Sequence, residues 1–302
     1  MAEAATIGGV SRLAEDGGRS ARRDGLRWRR FMANRLSLLG LVMLVVLVVG
    51  ALAGPVIADR LFGLQPNTLD CVSLEGPSAA HPLGCDPLGR DILARLLVGG
   101  RVSLAVGLLV AVTTTVLGLV VGLASGYLGG LVDSTLMRFT DTMLAMPTFF
   151  IVLAAAAFLG PSLLNTILII GLTQWMVTAR LIRGECLAVR EKEFILAARV
   201  SGQTDLGIMR HILLNVISTV IVVATLAVAT GILTESALSY LGLGIQPPQA
   251  SWGSMLSGAQ NYIFVEPMQG VFPGVLIVLT VLAVNFVGEG LREALDPRLA
   301  GR

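Results

Sequence analysis

The chain has 302 residues, 54% of them hydrophobic and 14% charged, with a mean hydropathy of +0.80. A soluble globular domain carries about 25% charged residues, so a water-facing surface is excluded, as is a disordered chain. Twenty-two basic against 20 acidic side chains leave a net charge of +2, too balanced for a protein that neutralises nucleic-acid phosphates.

Residues 1–36 hold eight arginines and are expected to form a cytoplasmic tail. Arg29-Arg30-Phe31 ahead of an apolar run ending Ala51-Leu52-Ala53 has the outline of a secretion signal. The basic region is unusually long for one and five further apolar runs follow, so a signal-anchor is expected, with Trp28 and Phe31 as interfacial anchors. A helix needs about 20 apolar residues to cross a bilayer, and six stretches approach or meet that length: 37–58, 103–125, 139–159, 163–179, 212–234 and 271–287. In hydrocarbon every backbone N–H must be paired within its own segment, which predicts helices and an all-α membrane protein. With both ends cytoplasmic, 18 basic residues fall inside and four outside (Arg60, Arg90, Arg95 and Arg101), the asymmetry the positive-inside rule requires. The expected organisation is a tail 1–36, a first helix 37–58, an external loop 59–102 and a five-helix core 103–290. That core contains a cytoplasmic segment 185–211 and an external loop 235–270, and a cytoplasmic tail 291–302 follows.

The first external loop carries Cys71 and Cys85, where oxidation is permitted, whereas Cys186 falls on the reducing side. A disulfide Cys71–Cys85 is expected, worth about 3 kcal/mol for a loop of this length. Two thiols with only His81 nearby are not expected to hold a metal, and His81 and His211 fall on opposite sides of the membrane, which removes a Ser/His/Asp constellation. Within the spans, Arg138 and Asp141 read as a local helix pair, and Pro147 as a kink. Gly118, Gly122 and Gly126 form a small-residue ridge for close helix approach. Glu235, beside Ser236 and Ser239, suits either the translocation path or an interfacial carboxylate bound to backbone.

In the cytoplasmic segment, apolar positions such as Leu187, Phe194 and Ala198 recur at helical spacing from Cys186 to Val200, with Arg190, Glu191, Lys192 and Glu193 clustered between. Ser201-Gly202 interrupts, and Thr204-Asp205 can cap a new helix leading into the fifth span. The product is a helix–glycine–helix elbow. Lys192 is the chain's one lysine and has no glycine loop before it, so no Walker A phosphate loop exists here.

Ala197-Ala198-Arg199-Val200-Ser201-Gly202 followed by Ile212-Leu213-Leu214-Asn215 resembles the "EAA" loop of ABC importer permeases. Leu196 stands where that pattern has glutamate and Asn215 where it has proline. His81-Pro82-Leu83-Gly84-Cys85-Asp86, with Gly89-Arg90-Asp91, is similar to a stretch before the second span of C-type oligopeptide, dipeptide and nickel permeases, Cys85 replacing a threonine. Leu238-Ser239-Tyr240-Leu241-Gly242-Leu243-Gly244, Ser251-Trp252-Gly253, Gly290-Leu291-Arg292, Leu295-Asp296-Pro297-Arg298-Leu299 and the Asp141/Pro147 spacing are similar to that family too.

The resemblance implies a six-helix permease subunit in a bacterial inner membrane, without catalysis of its own. Its implied partners are a second homologous permease, two cytoplasmic ATPases that bind ATP and Mg, an extracytoplasmic substrate-binding protein, membrane lipid and a peptide substrate. It implies ATPase coupling through Glu193, Ala197, Ala198, Arg199, Ser201, Gly202 and Asp205, and docking of the binding protein at His81, Asp86, Arg90 and Asp91. A translocation path is implied near Asp141, Pro147, Glu235 and Ser239. The alternatives are a nickel or other metal-complex importer and, from another class, a proton-coupled carrier or polytopic membrane enzyme. A carrier should place ionisable groups mid-span, and these runs do not.

Overall fold

A computed structural model describes residues 28–295. Residues 28–33 are helical, and α1 (Arg35–Phe62) then starts at Asn34, whose side chain accepts from the Leu36 and Ser37 amides. After an irregular lobe come α2 (Ile92–Leu128), the short pair α3 (Gly130–Ala145) and α4 (Thr148–Leu159), and α5 (Leu163–Arg190). The short α6 (Glu193–Val200) leads to α7 (Asp205–Tyr240). The short α8 (Trp252–Ala259), a 3-10 turn and α9 (Met268–Leu295) complete the described chain. Among the described residues the only β-pairing is an isolated bridge, Cys85 to Asp91.

Five of these helices, α1, α2, α5, α7 and α9, are long and apolar enough to span a membrane. The expected third span is not one straight helix: α3 and α4 meet at 84°. Pro147 has no N–H to donate and drives Met146 out of helical geometry (ψ 135°). Twelve-residue α4 rises about 18 Å, short of the roughly 30 Å hydrocarbon core. The other helices outrun their apolar stretches. α2 takes in residues 92–102 of the expected external loop, and α5 continues to Arg190. The expected continuous helix from Cys186 to Val200 is therefore broken at Glu191-Lys192.

The central contact is α2 against α5, with α7 packed on both. Its cause is the glycine ridge. A Cβ on Gly118 would lie 2.6 Å from Thr178 Cβ, one on Gly122 2.7 Å from Ala179 O, and one on Gly126 2.7 Å from Cys186 Cβ. α1 rests on α9 and α2. Phe31, expected as a membrane anchor, is instead buried against Val287 and Ala294 of α9, while Trp28 is exposed and stacks on its ring. Asn34 Nδ2 donates to Glu293 Oε2 (2.7 Å), which places the start of α1 beside the end of α9.

Pro55 sits inside α1 and cannot supply the amide that Ala51 O would receive. Arg101 of α2 fills the gap: its Nε donates to Ala51 O (2.8 Å) and Nη2 to Leu52 O (2.6 Å).

Candidate coupling and docking sites

At the end carrying Tyr127, Arg190 and Asp205, three long helices converge on α6. Gly202 adopts φ +75°, and its N–H and that of Gln203 donate back to Arg199 O and Ala198 O (3.1 and 3.2 Å). These bonds close α6 with a Schellman turn, for which a left-handed residue is required. Thr204 then caps α7 by accepting from Gly207 N–H (3.3 Å). Both features follow the order expected from the sequence. On its inner side α6 inserts Ile195, fully buried among Leu123, Tyr127, Ile182, Cys186, Val189, Ile208 and Ile212. Its outer side leaves Phe194, Leu196 and Val200 exposed, with Leu206 beyond the turn.

Of the expected coupling residues, Glu193 lies exposed in the first turn of α6, where a negative charge suits the helix dipole. Ala197 and Arg199 are exposed and Ala198 half-buried, while Ser201 Oγ donates to Ala197 O (2.9 Å). Asp205 is held by the hydroxyl of Tyr127 at the end of α2. Arg190 Nη1 donates to the Tyr127 and Gly126 carbonyls (3.0 and 3.3 Å), closing the C-terminal end of α2. Tyr127, Arg190 and Ile195 carry no short-motif signature; a tyrosine beside Gly129-Gly130 at the end of a span is the one hint the chain offers.

The expected path residues separate. Asp141 pairs with Arg180 of α5 and not with Arg138, so the local helix pair is replaced by a bridge between elements. A second bridge, Arg183 to Asp133 (2.6 Å), with Ser125 donating to Asp133, ties α3 to α5 and α2. Pro147 marks the α3–α4 break. Glu235 and Ser239 come together elsewhere, fully buried: Ser239 Oγ donates to Glu235 Oε1 (2.7 Å), and Ser103 Oγ of α2 to Oε2 (3.4 Å). Those serines accept from Ile245 N–H (3.0 Å) and Trp252 N–H (3.1 Å), so Glu235 is a node joining α2, α7 and α8.

The lobe of residues 63–91 is cross-linked Cys71–Cys85, as expected, with Cα atoms 6.3 Å apart. Asp86 receives Arg90 Nε (2.7 Å) and the Leu88 and Arg90 amides, and Arg95 Nε lies 3.6 Å away. Asp91 caps α2 through Ala94 N–H (2.7 Å) and holds His81 Nδ1 (3.0 Å). The four expected docking residues thus organise the lobe internally. A cavity of about 360 Å³ opens between this lobe and the α7–α9 loop, lined by Asp86, Arg90, Arg95, Gln246, Tyr262 and Gln269 among others.

Residues 118–301 match the family model of the binding-protein-dependent transport system inner membrane component. Residues 25–70 match that of the N-terminal TM domain of oligopeptide transport permease C. The chain is 40% identical over 294 residues to the oligopeptide transport system permease protein OppC of Escherichia coli K12, covering 97% of this chain and 96% of the relative. It is 38% identical over 273 residues to the dipeptide transport system permease protein DppC of Alkalihalophilus pseudofirmus (90% and 89% covered). It is 38% identical over 276 residues to a glutathione transport system permease protein of Escherichia coli O6:K15:H31 (91% and 90% covered). With five long apolar helices and a bent sixth pair among its described residues, and with 97% of its length matched to one relative, the chain belongs to the family of binding-protein-dependent transport system inner membrane components.

Proposed function

We propose that this chain is one of two related permease subunits of an ATP-driven peptide importer, and that α6 seats in a groove of a cytoplasmic ATPase. The observation that carries this reading is the two-sidedness of α6: Ile195 is locked into the meeting point of α2, α5 and α7, while Phe194, Leu196 and Val200 face outward. A force on the outer face reaches three long helices through one buried side chain, the Tyr127–Asp205 bond and the Arg190 bonds. Rigid-body rocking of spans needs such a connection. Leu196, in place of a glutamate, makes the contact apolar.

ATP and Mg bind to the partner ATPases, since no phosphate loop is present in this chain, and no catalytic step is assigned to it. A substrate-binding protein docks on the external lobe and the adjoining α7–α9 loop. Both termini face the cytoplasm, in keeping with the arginine asymmetry. Peptide is favoured over a nickel complex because the relatives above are named for oligopeptide, dipeptide and glutathione transport.

The test is peptide uptake into proteoliposomes holding the chain with its partner subunits. Val200 is 90% exposed, so Val200→Glu leaves the fold intact; it should reduce ATP-driven uptake at least about tenfold by placing an unpaired charge in an apolar contact. Gly202→Pro, which fixes φ near −65° and removes the bond to Arg199 O, should do the same. Normal uptake in both variants, or uptake driven by a proton gradient without ATP, refutes the reading.

A further inference from the structure

Folding draws the sulfurs of Cys71 and Cys85 and a ring nitrogen of His81 within 4.8 Å of one another. Three further features make this more than a disulfide with a histidine beside it. His81 gives Nδ1 to the buried carboxylate of Asp91 (3.0 Å), which fixes the ring and leaves Nε2 for a ligand. A carboxylate behind the imidazole is the usual support of a metal-bound histidine. Glu75 Oε2 lies 3.3 Å from Cys71 Sγ, close by but outside the three-donor set. Cys85 is buried and Cys71, Glu75 and His81 are half-buried, so the donors lie in a partly shielded niche.

We infer that the dithiol form of this lobe is a zinc site, with Cys71, Cys85 and His81 as ligands and water in the fourth place. Two thiolates and an imidazole select a thiophilic divalent ion of the zinc type. Tetrahedral coordination at about 2.3 Å from each sulfur sets the sulfurs roughly 3.8 Å apart, a separation that Cα atoms 6.3 Å apart allow once the S–S bond opens. The exchange balances. A dithiol reductant supplies two electrons and two protons, leaves as its own disulfide and returns two thiols, and zinc then displaces the two thiol protons. Disulfide and zinc are thus alternative clasps on one lobe. Because Asp91 both holds His81 and caps α2, either clasp fixes the start of that helix. The inference does not depend on what the permease carries.

The test uses the full-length chain carrying Cys186→Ala to remove the remaining thiol. The protein is reduced anaerobically with a phosphine, which leaves as its oxide, and titrated with Co²⁺ as the spectroscopic probe, followed by Zn²⁺ competition. One equivalent of Co²⁺ should bind with thiolate-to-cobalt charge transfer and tetrahedral d–d bands, and zinc should displace it. Unreduced protein should show neither. Cys85→Ser should abolish the thiolate bands. Asp91→Asn keeps a helix-capping side chain but loses the carboxylate, and should weaken binding about 10- to 100-fold. Helicity by circular dichroism is followed throughout. Absence of the bands in reduced protein, binding unchanged by His81→Ala, or helicity lost on reduction and not restored by zinc overturns the inference.

Discussion

Arg101 offers a quantitative check on the packing of the first helix. Pro55 removes one rung of α1 and leaves Ala51 O without a helical donor, and Arg101 supplies two charge-assisted bonds, of 2.8 and 2.6 Å, to Ala51 O and Leu52 O. A hydrogen bond to a charged group contributes about 1.5–3 kcal/mol, and a buried acceptor left unpaired costs about 1–3 kcal/mol. Arg101→Leu should therefore destabilise the protein by about 3 kcal/mol, or roughly 6 °C in thermal unfolding at this chain length. Arg101→Lys, a single point charge without the planar fork, should keep part of that. The decisive measurement is a double-mutant cycle. Pro55→Ala restores an amide for Ala51 O, so Arg101→Leu in that background should cost about 1 kcal/mol, leaving a coupling of about 2 kcal/mol. Unfolding would be followed in nanodiscs. Equal losses in the two backgrounds, or a loss under about 0.5 kcal/mol in the first, would refute the assignment of Arg101 as the surrogate donor.

Two further expectations concern the interior. Gly122→Ala puts a methyl 2.7 Å from the Ala179 carbonyl and 2.8 Å from Ile182 Cβ; it should cost about 1–3 kcal/mol, whereas Gly184→Ala, with open space around it, should gain about 0.5–1 kcal/mol, both measured by thermal unfolding. Glu235→Leu strands the hydroxyls of Ser103 and Ser239 in a buried site and should cost about 3 kcal/mol. Glu235→Gln keeps an acceptor for one serine and presents an NH2 that the oxygen of the other can accept, and should stay within about 1 kcal/mol of the parent; equal losses for Leu and Gln would show that the serine contacts contribute nothing.

Much of this molecule was legible along the chain because the relevant physics is local. Hydrocarbon forbids unpaired amides, so apolar runs of sufficient length become helices. Glycines four apart share a helix face, and that ridge is where α2 and α5 meet. Gly202 and Thr204 announce a left-handed stop and a new cap by residue type alone, and Cys71 and Cys85 pair because they lie in one short loop. Helix ends were less legible. Hydropathy marks where the bilayer is, while hydrogen bonding continues past it, so α2 and α5 extend about ten residues beyond their apolar stretches.

What the tertiary structure alone decided is which distant side chains meet. Asp141 has Arg138 one turn away along its own helix and takes Arg180 of α5 instead. Tyr127 finds Asp205, Arg190 finds the end of α2, and His81 finds two cysteines with Asp91 behind it. Each pairing depends on the rotation and axial register of helices or turns packed against one another. Hydrophobic patterning constrains those variables to a face and not to a residue. Composition and pattern determined that this chain is a set of membrane helices with an elbow on one side and a clasped lobe on the other. Close packing determined how the elbow grips the helices and what the clasp can hold.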